Sequence, residues 1–251
     1  MNRFEGKVVL VTGGSVGIGR ATAEAFAHEG AKVVIAARRE AEGIEAVKKI
    51  QAAGGTASFV RADVANEADV IAMVGHAVSK FGGIDVVFNN AGVEGKLGPI
   101  EMLGVADFDH VFGVNVRGTW LVMKHALPHL QKSKGSIVNN SSVAADLGMA
   151  GTTIYATSKG AITTLTRTAA IEFIKSGVRV NQVSPGPIET EMGSRFFGSI
   201  ENMRGFAATS VPAGIAGGPS DIAAAVLYLA SSAARFVVGQ SLTIDGGLLA
   251  Q

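Results

Sequence analysis

The chain has 251 residues, of which 47% are hydrophobic and 17% charged; 33 are glycine and none is cysteine, and the formal net charge is +1. That size and apolar share describe a chain able to bury its own core, and six prolines with non-periodic glycines exclude collagen-like or disordered character. Interspersed charge argues against nucleic acid or a membrane surface as partner, and the lack of cysteine excludes disulfides, thiolate metal sites and a cysteine nucleophile.

The first apolar run, Val8 to Val11, is too short for a signal-peptide core, and no run approaches the ~18 apolar residues of a membrane span. The expectation is a cytoplasmic chain. Val/Ile-rich runs at Lys7–Thr12, Lys32–Ala37, Ala57–Ala62, Ile84–Asn89, Gly135–Ser141, Val178–Ser184 and Ser241–Asp245 read as strands covered on both faces. Between them lie helix-like stretches at Gly17–Glu29, Glu40–Ala53, Asn66–Phe81, Asp107–Lys132, Thr153–Ser176 and Ser220–Ala230. The alternation predicts an α/β fold, with a mostly parallel seven-stranded sheet and helices on both faces in three layers. No linker divides the chain, so residues 1–251 read as one domain. Gly54-Gly55 and Gly82-Gly83 mark helix ends. The least regular stretch, about 186–218, follows a strand and reads as a lid over a site at the strand carboxyl ends. Ala223–Ala230 reads as a buried helix, with Tyr228 in the core.

Thr12-Gly13-Gly14-Ser15-Val16-Gly17-Ile18-Gly19 follows the first strand and opens the first helix. Glycines let the backbone approach a pyrophosphate, and the helix N-terminus offers it free N–H groups and partial positive charge. Gly13, Ser15, Val16, Gly17, Ile18 and Gly19 are therefore dinucleotide-binding candidates. An acid ending the second strand would favour NAD(H); here Ala36-Ala37 is followed by Arg38-Arg39, cations suited to a 2′-phosphate, so NADP(H) is preferred and NAD(H) is the alternative. Asp63 with Val64, and Asn90-Ala91-Gly92 after Asn89, stand at the ends of the third and fourth strands beside the same crevice. Asp63 could accept from an adenine amino group or cap the helix near Asn66.

Tyr155 and Lys159 are spaced i, i+4, which puts a phenol and an ammonium on one helix face. A free tyrosine, with a pKa of about 10, is a poor proton donor or acceptor at neutral pH; a cation beside it favours the phenolate and is expected to bring it into working range. Ser142 ends the strand before this helix and could polarise the same carbonyl, with Ser141 an alternative. Asn115 lies inside a helical stretch, where its amide could hold a water, disturb the helix or satisfy a backbone carbonyl. The five histidines suggest no metal site: His125 and His129 share i, i+4 spacing, but Pro128 is expected to disrupt the helix between them, and no carboxylate partner is apparent.

Taken in order, the glycine motif, Asn89-Asn90-Ala91-Gly92, Asn115, Ser142, Tyr155 with Lys159, and Pro185-Gly186 resemble a short-chain dehydrogenase/reductase of the 250-residue type, over nearly the whole chain. The resemblance implies a doubly wound Rossmann fold and hydride transfer between NADP(H) and a carbonyl or secondary alcohol. It implies that Tyr155 is the general acid or base, that Lys159 lowers its pKa and binds the nicotinamide ribose, that Ser142 orients the carbonyl and that Asn115 holds a relay water. Pro185, Gly186, Ile188 and Thr190 would contact the nicotinamide end. The family is commonly tetrameric, which makes a homotetramer the expected assembly.

Val16 stands where many NADP-preferring members carry a second cation, so the phosphate grip is expected to rest on Arg38 with Arg39 assisting. An NAD(H)-dependent sugar or hydroxysteroid dehydrogenase, a 3-oxoacyl-carrier-protein reductase and a non-catalytic nucleotide-binding regulator are the competing readings. Near-neutral charge shows no docking surface for an acidic carrier, and the presence of both Tyr155 and Lys159 speaks against a regulator. The expected pocket wall draws on Leu147, Met149, Ile154, Met192, Phe196, Phe197 and Met203, an apolar or mixed setting for a small-molecule substrate.

Overall fold

Seven strands in a computed structural model that describes residues 2–251 form one sheet: β1 (Val8–Thr12), β2 (Lys32–Ala37), β3 (Thr56–Arg61), β4 (Val86–Asn89), β5 (Ser136–Asn140), β6 (Arg179–Pro185) and β7 (Ser241–Ile244). Their order is β3-β2-β1-β4-β5-β6-β7. All six pairings are parallel, so the sheet is wholly rather than mostly parallel.

Strand composition explains the layering. Residues of β1 alternate between faces, and both faces are buried. Val9 and Val11 pack with Phe26, Ile35, Phe88 and Val226 on one side, while Leu10 packs with Val34, Met73, Val87 and Ile137 on the other. Burying each such side chain contributes about 1.5–3 kcal/mol, which is why β-branched runs settle at the centre of a two-sided sheet.

The first core is covered by α1 (Gly17–His28), α2 (Glu40–Ala52) and α9 (Pro219–Ala230). The second is covered by α3 (Glu67–Phe81), α5 (Thr119–Ser133) and α6 (Thr153–Phe173). Asn66 caps α3 by accepting from the Ala68 N–H at 2.9 Å, and Gly82 ends it at φ 91°. Among the described residues no helix is long and apolar enough to cross a membrane.

Five local expectations are corrected. The stretch 107–132 is not one helix: α4 (Val105–Phe112) passes into a π-helical turn, Gly113–Gly118, before α5 begins. Pro128 does not disrupt α5, which runs unbroken past it, and His125 does have a carboxylate partner, Glu67 at 2.8 Å. The irregular stretch after β6 holds two short helices, α7 (Glu191–Phe197) and α8 (Ile200–Ser210), capped by the hydroxyls of Thr190 and Ser199. Tyr228 is not core: it is 40% exposed, on the side of α9 turned from the sheet.

Sheet order places the carboxyl ends of β1 and β4 side by side, with their connections leaving in opposite directions. Such a reversal opens a crevice above the strand ends, and the candidate site occupies it.

Candidate active site

β1 feeds the glycine loop directly into α1. Val16, the residue before α1, is extended and makes no side-chain cap, and the first turn carries no acid. The unsatisfied N–H groups and the positive end of the helix dipole are therefore offered to a cavity of about 460 Å³ lined by Gly13, Ser15, Val16, Gly17 and Ile18. Gly13 has φ 64°, and a Cβ there would come within 2.9 Å of the Asn90 amide nitrogen; one on Gly19 would strike the Gly13 carbonyl oxygen. The loop is held flat against β4 by its neighbours. Thr12 Oγ1 accepts from the N–H groups of Asn90 and Ala91, both at 3.1 Å, and Asn90 Nδ2 donates to the carbonyls of Thr12 and Gly13 at 3.0 and 3.1 Å. A bare backbone cradle at an uncapped helix start fits the pyrophosphate of a dinucleotide.

Ala36 and Ala37 bring β2 to the rim, and the two arginines beyond them are not free. Arg38 lies 3.8 Å from Asp63, while Arg39 pairs with Glu191 at 2.9 Å and stands 3.7 Å from Glu42. No carboxylate stands at the tip of β2, but folding delivers one to Arg39 from α7. Asp63 and Val64 line the cavity; Asp63 accepts from Ala65 N–H at 3.0 Å and leaves the capping of α3 to Asn66.

At the other end of the cavity, Ser141 and Ser142 separate clearly. Ser141 is buried and donates to the Lys159 carbonyl at 3.0 Å, whereas Ser142 faces the Tyr155 hydroxyl and accepts from Ala144 N–H at 3.1 Å. Tyr155 and Lys159 lie one turn apart on α6, both buried.

Burial opposes the expected acidification of the phenol. Burial pushes the Tyr155 phenol up to about 12; the Ser142 hydroxyl pulls it partly back, and the Glu94 charge pushes it further up. Burial alone lowers Lys159 to about 8. The ammonium does not touch the phenol: Nζ donates to the Asn140 carbonyl at 2.8 Å and lies 5.7 Å from the Tyr155 ring centre. Helical spacing supplies proximity, but desolvation of both groups outweighs their attraction.

Asn115 sits fully buried in the π-helical turn. Its Oδ1 accepts from Val93 N–H at 2.8 Å, and its Nδ2 donates to the Val93 carbonyl at 2.9 Å and to Ser158 Oγ at 3.0 Å. Both amide hydrogens are thus committed to the protein, and the side chain pins the segment that follows β4.

Pro185, Gly186, Ile188 and Thr190 continue the lining from β6 to α7. An ion pair near each end holds α7 across the crevice: Glu191 on Arg39, and Arg195 on Glu94 at 2.6 and 3.3 Å. Met149, Met192, Phe196 and Phe197 line the cavity as expected. Leu147, Ile154 and Met203 do not. Met203 is fully buried, and Leu147 packs on a small separate core with Val143, Val211 and Leu248. The sequence reading does not single out Asn140, Glu191 or Leu248, which reach the cavity from three distant places in the chain. Among the described residues no three His, Asp or Glu side chains are grouped to hold a metal ion.

A family model described as Enoyl-(Acyl carrier protein) reductase matches residues 13–249. The chain is 39% identical to the cis-4-hydroxycyclohexanecarboxylate dehydrogenase of Sinomonas cyclohexanicum, over 98% of each chain. It is also 39% identical to the L-fucose dehydrogenase of Mus musculus, over 98% of this chain and 90% of that one. The crystal structure of levodione reductase superposes with a TM-score of 0.93 at 36% identity, covering 98% of this chain and 99% of the other. Dehydrogenases and reductases both stand among the relatives, and their substrates differ.

Proposed function

The chain belongs to the short-chain dehydrogenase/reductase family, and from that premise we propose that it moves a hydride between NADP(H) and a carbonyl or secondary alcohol through Tyr155, Ser142 and Lys159. The observation that carries this reading is that one cavity is lined at one end by the uncapped glycine loop with Arg38, and at the other by Ser142, Tyr155 and Lys159. Gly13 to Gly19 would hold the pyrophosphate, Asp63 and Val64 the adenine side, Asn90, Ala91 and Gly92 the floor, and Pro185, Gly186, Ile188 and Thr190 the nicotinamide end.

The bound nicotinamide supplies or accepts the hydride. The protein moves the proton. With its phenol near 12, Tyr155 is protonated at neutral pH and poised to donate to a carbonyl oxygen, while the Ser142 hydroxyl beside it shares that oxygen and fixes its direction. Lys159 Nζ, set on the Asn140 carbonyl, lies close enough to the phenol ring to favour the phenolate left behind. Asn115 holds Val93 and Ser158 in place under this group.

Arg38 supports NADP(H), because its carboxylate neighbour among the described residues, Asp63, is at 3.8 Å and a dianionic 2′-phosphate would compete well for it. The engagement of Arg39 with Glu191 favours NAD(H) as the second reading, since it removes one of the two cations from the phosphate's reach. The whole chain is read as one domain, cytoplasmic and homotetrameric; the large exposed side chains of Ile100, Met102, Val105 and Phe108 support assembly with further copies.

The test is turnover and nucleotide binding measured separately. Purified protein is expected to bind NADPH more tightly than NADH and to consume it with ketones. Tyr155→Phe is expected to keep binding and lose turnover; wild-type turnover in that variant would sink the mechanism.

A further inference from the structure

Resting on the oxidoreductase reading, we infer that the substrate is an uncharged ketone or secondary alcohol with an apolar ring body, selected over sugars and over carboxylates. The reacting oxygen must reach the hydroxyls of Tyr155 and Ser142, so the surface next to them decides what the remainder of the molecule meets. That surface is aromatic. Phe196 stands edge-on to the Tyr155 ring, with centroids 5.6 Å apart and planes at 62°. Phe197 follows at 5.4 Å from Phe196, and Phe206 at 5.1 Å from Phe197. Three phenyl rings thus form a continuous strip leading away from the phenol.

The strip comes from two short helices, α7 and α8, whose small fold leaves these rings facing the crevice rather than the sheet. Val143, Met149 and Leu248 line the same cavity, and the thioether of Met149 adapts to irregular apolar shapes. A flat or puckered ring laid on phenyl faces gains contact and buries apolar area. A sugar laid there would lose water from each hydroxyl without a partner to replace it.

Charge works against an anionic substrate. The nearest cation of the lid, Arg195, is engaged by Glu94 through two hydrogen bonds at 2.6 and 3.3 Å. Glu94 itself adds a small upward push on the Tyr155 phenol, behind burial and the Ser142 hydroxyl. A carboxylate entering here meets a guanidinium already committed to Glu94 and would have to displace it.

The experiment compares three substrates of similar ring size with the purified chain and either NADPH or NADH: 4-phenylcyclohexanone, a keto-sugar and 4-oxocyclohexanecarboxylate. The first is expected to show a kcat/KM at least about tenfold above both others. Phe197→Ala and Phe206→Ala are expected to raise its KM by about tenfold and to lower kcat/KM for butanone by a clearly smaller factor. Phe197→Leu, which keeps an apolar side chain, guards against a folding failure and is expected to lie between. A keto-sugar or the carboxylate turned over best would overturn the substrate inference and leave the oxidoreductase reading standing, as would equal losses for all ketones in Phe197→Ala and Phe197→Leu. Nucleotide binding with no turnover of any carbonyl or alcohol would overturn both.

Discussion

The Arg39 guanidinium and the Glu191 carboxylate, 152 residues apart in the chain, meet at 2.9 Å across the mouth of the cofactor crevice. The pair is half-exposed, so its own stabilising effect is small, at most about 1 kcal/mol. Its consequence lies in competition: a 2′-phosphate at this rim would have to share Arg39 with Glu191. Glu191→Gln is expected to raise the ratio of kcat/KM for NADPH over NADH by about two- to fivefold, the range an exposed pair allows. Arg38→Ala is expected to lower the same ratio by roughly tenfold or more, because a charge-assisted contact to the phosphate is lost. Steady-state kinetics with both nucleotides checks the two; equal effects on NADPH and NADH would place neither residue near a 2′-phosphate.

Protonation of Tyr155 predicts an asymmetric pH profile. A phenol held near 12 is a ready donor and a scarce base at neutral pH. Ketone reduction is expected to vary little between pH 6 and 8, whereas alcohol oxidation is expected to rise with pH through 9 and 10 as the phenolate becomes accessible. Initial rates in both directions with one substrate pair measure this. An oxidation rate that levels off near pH 7 would mean that the phenol is far more acidic in the working enzyme than burial makes it here.

Much of this was legible in the residues, and the exceptions have physical causes. Val/Ile runs between amphipathic stretches specify a two-sided sheet, and all seven strands lie where that pattern puts them. The π-helical turn has no signature in Gly113-Val114-Asn115-Val116 beyond Asn115 itself, an amide in a helical stretch able to disturb it. Helices α7 and α8 are too short, and too rich in glycine and serine, for periodicity to show. At the site, Tyr155 and Lys159 are visible because one helical turn joins them. Glu191 is invisible because its partner is 152 residues away. The upward push of burial on Tyr155 is not visible in the sequence, because spacing reveals neighbours but not desolvation.

Lys159 predicts a stability signature of its own. Its amine titrates near 8 in the folded chain, against an ordinary value of 10.5. Between these values the unfolded chain holds a proton that the folded chain has released, so stability rises with pH; below about pH 8 the folded chain carries the full cost of a buried ammonium. Tyr155 acts in the opposite sense above its ordinary value of 10, where the unfolded chain ionises first and stability falls. Lys159→Met removes the first effect alone. The stability of Lys159→Met relative to wild type is expected to decline by up to a few kcal/mol from pH 7 to pH 10, since each pKa unit corresponds to about 1.4 kcal/mol. Urea unfolding at several pH values measures it, and a difference independent of pH would show that the amine is not desolvated.

Asn115 offers the most direct separation of positioning from chemistry. Its side chain makes three hydrogen bonds, to Val93 N–H, the Val93 carbonyl and Ser158 Oγ, and it is fully buried. Val93 follows Gly92, where a Cβ would lie 3.6 Å from Lys159 Nζ, so slack in this segment reaches the reactive end of the cavity. Asn115→Ala leaves Val93 without its partner and is expected to lower stability by about 1–3 kcal/mol, with a larger loss in kcat than in nucleotide affinity. Asn115→Asp keeps the acceptor for Val93 N–H but loses both donors, and it is expected to recover only part of the stability. Denaturant midpoints, nucleotide titration and single-turnover rates distinguish the effects. Unchanged stability with lost turnover would point to direct participation of the amide in proton transfer, and unchanged turnover would confine Asn115 to holding the fold.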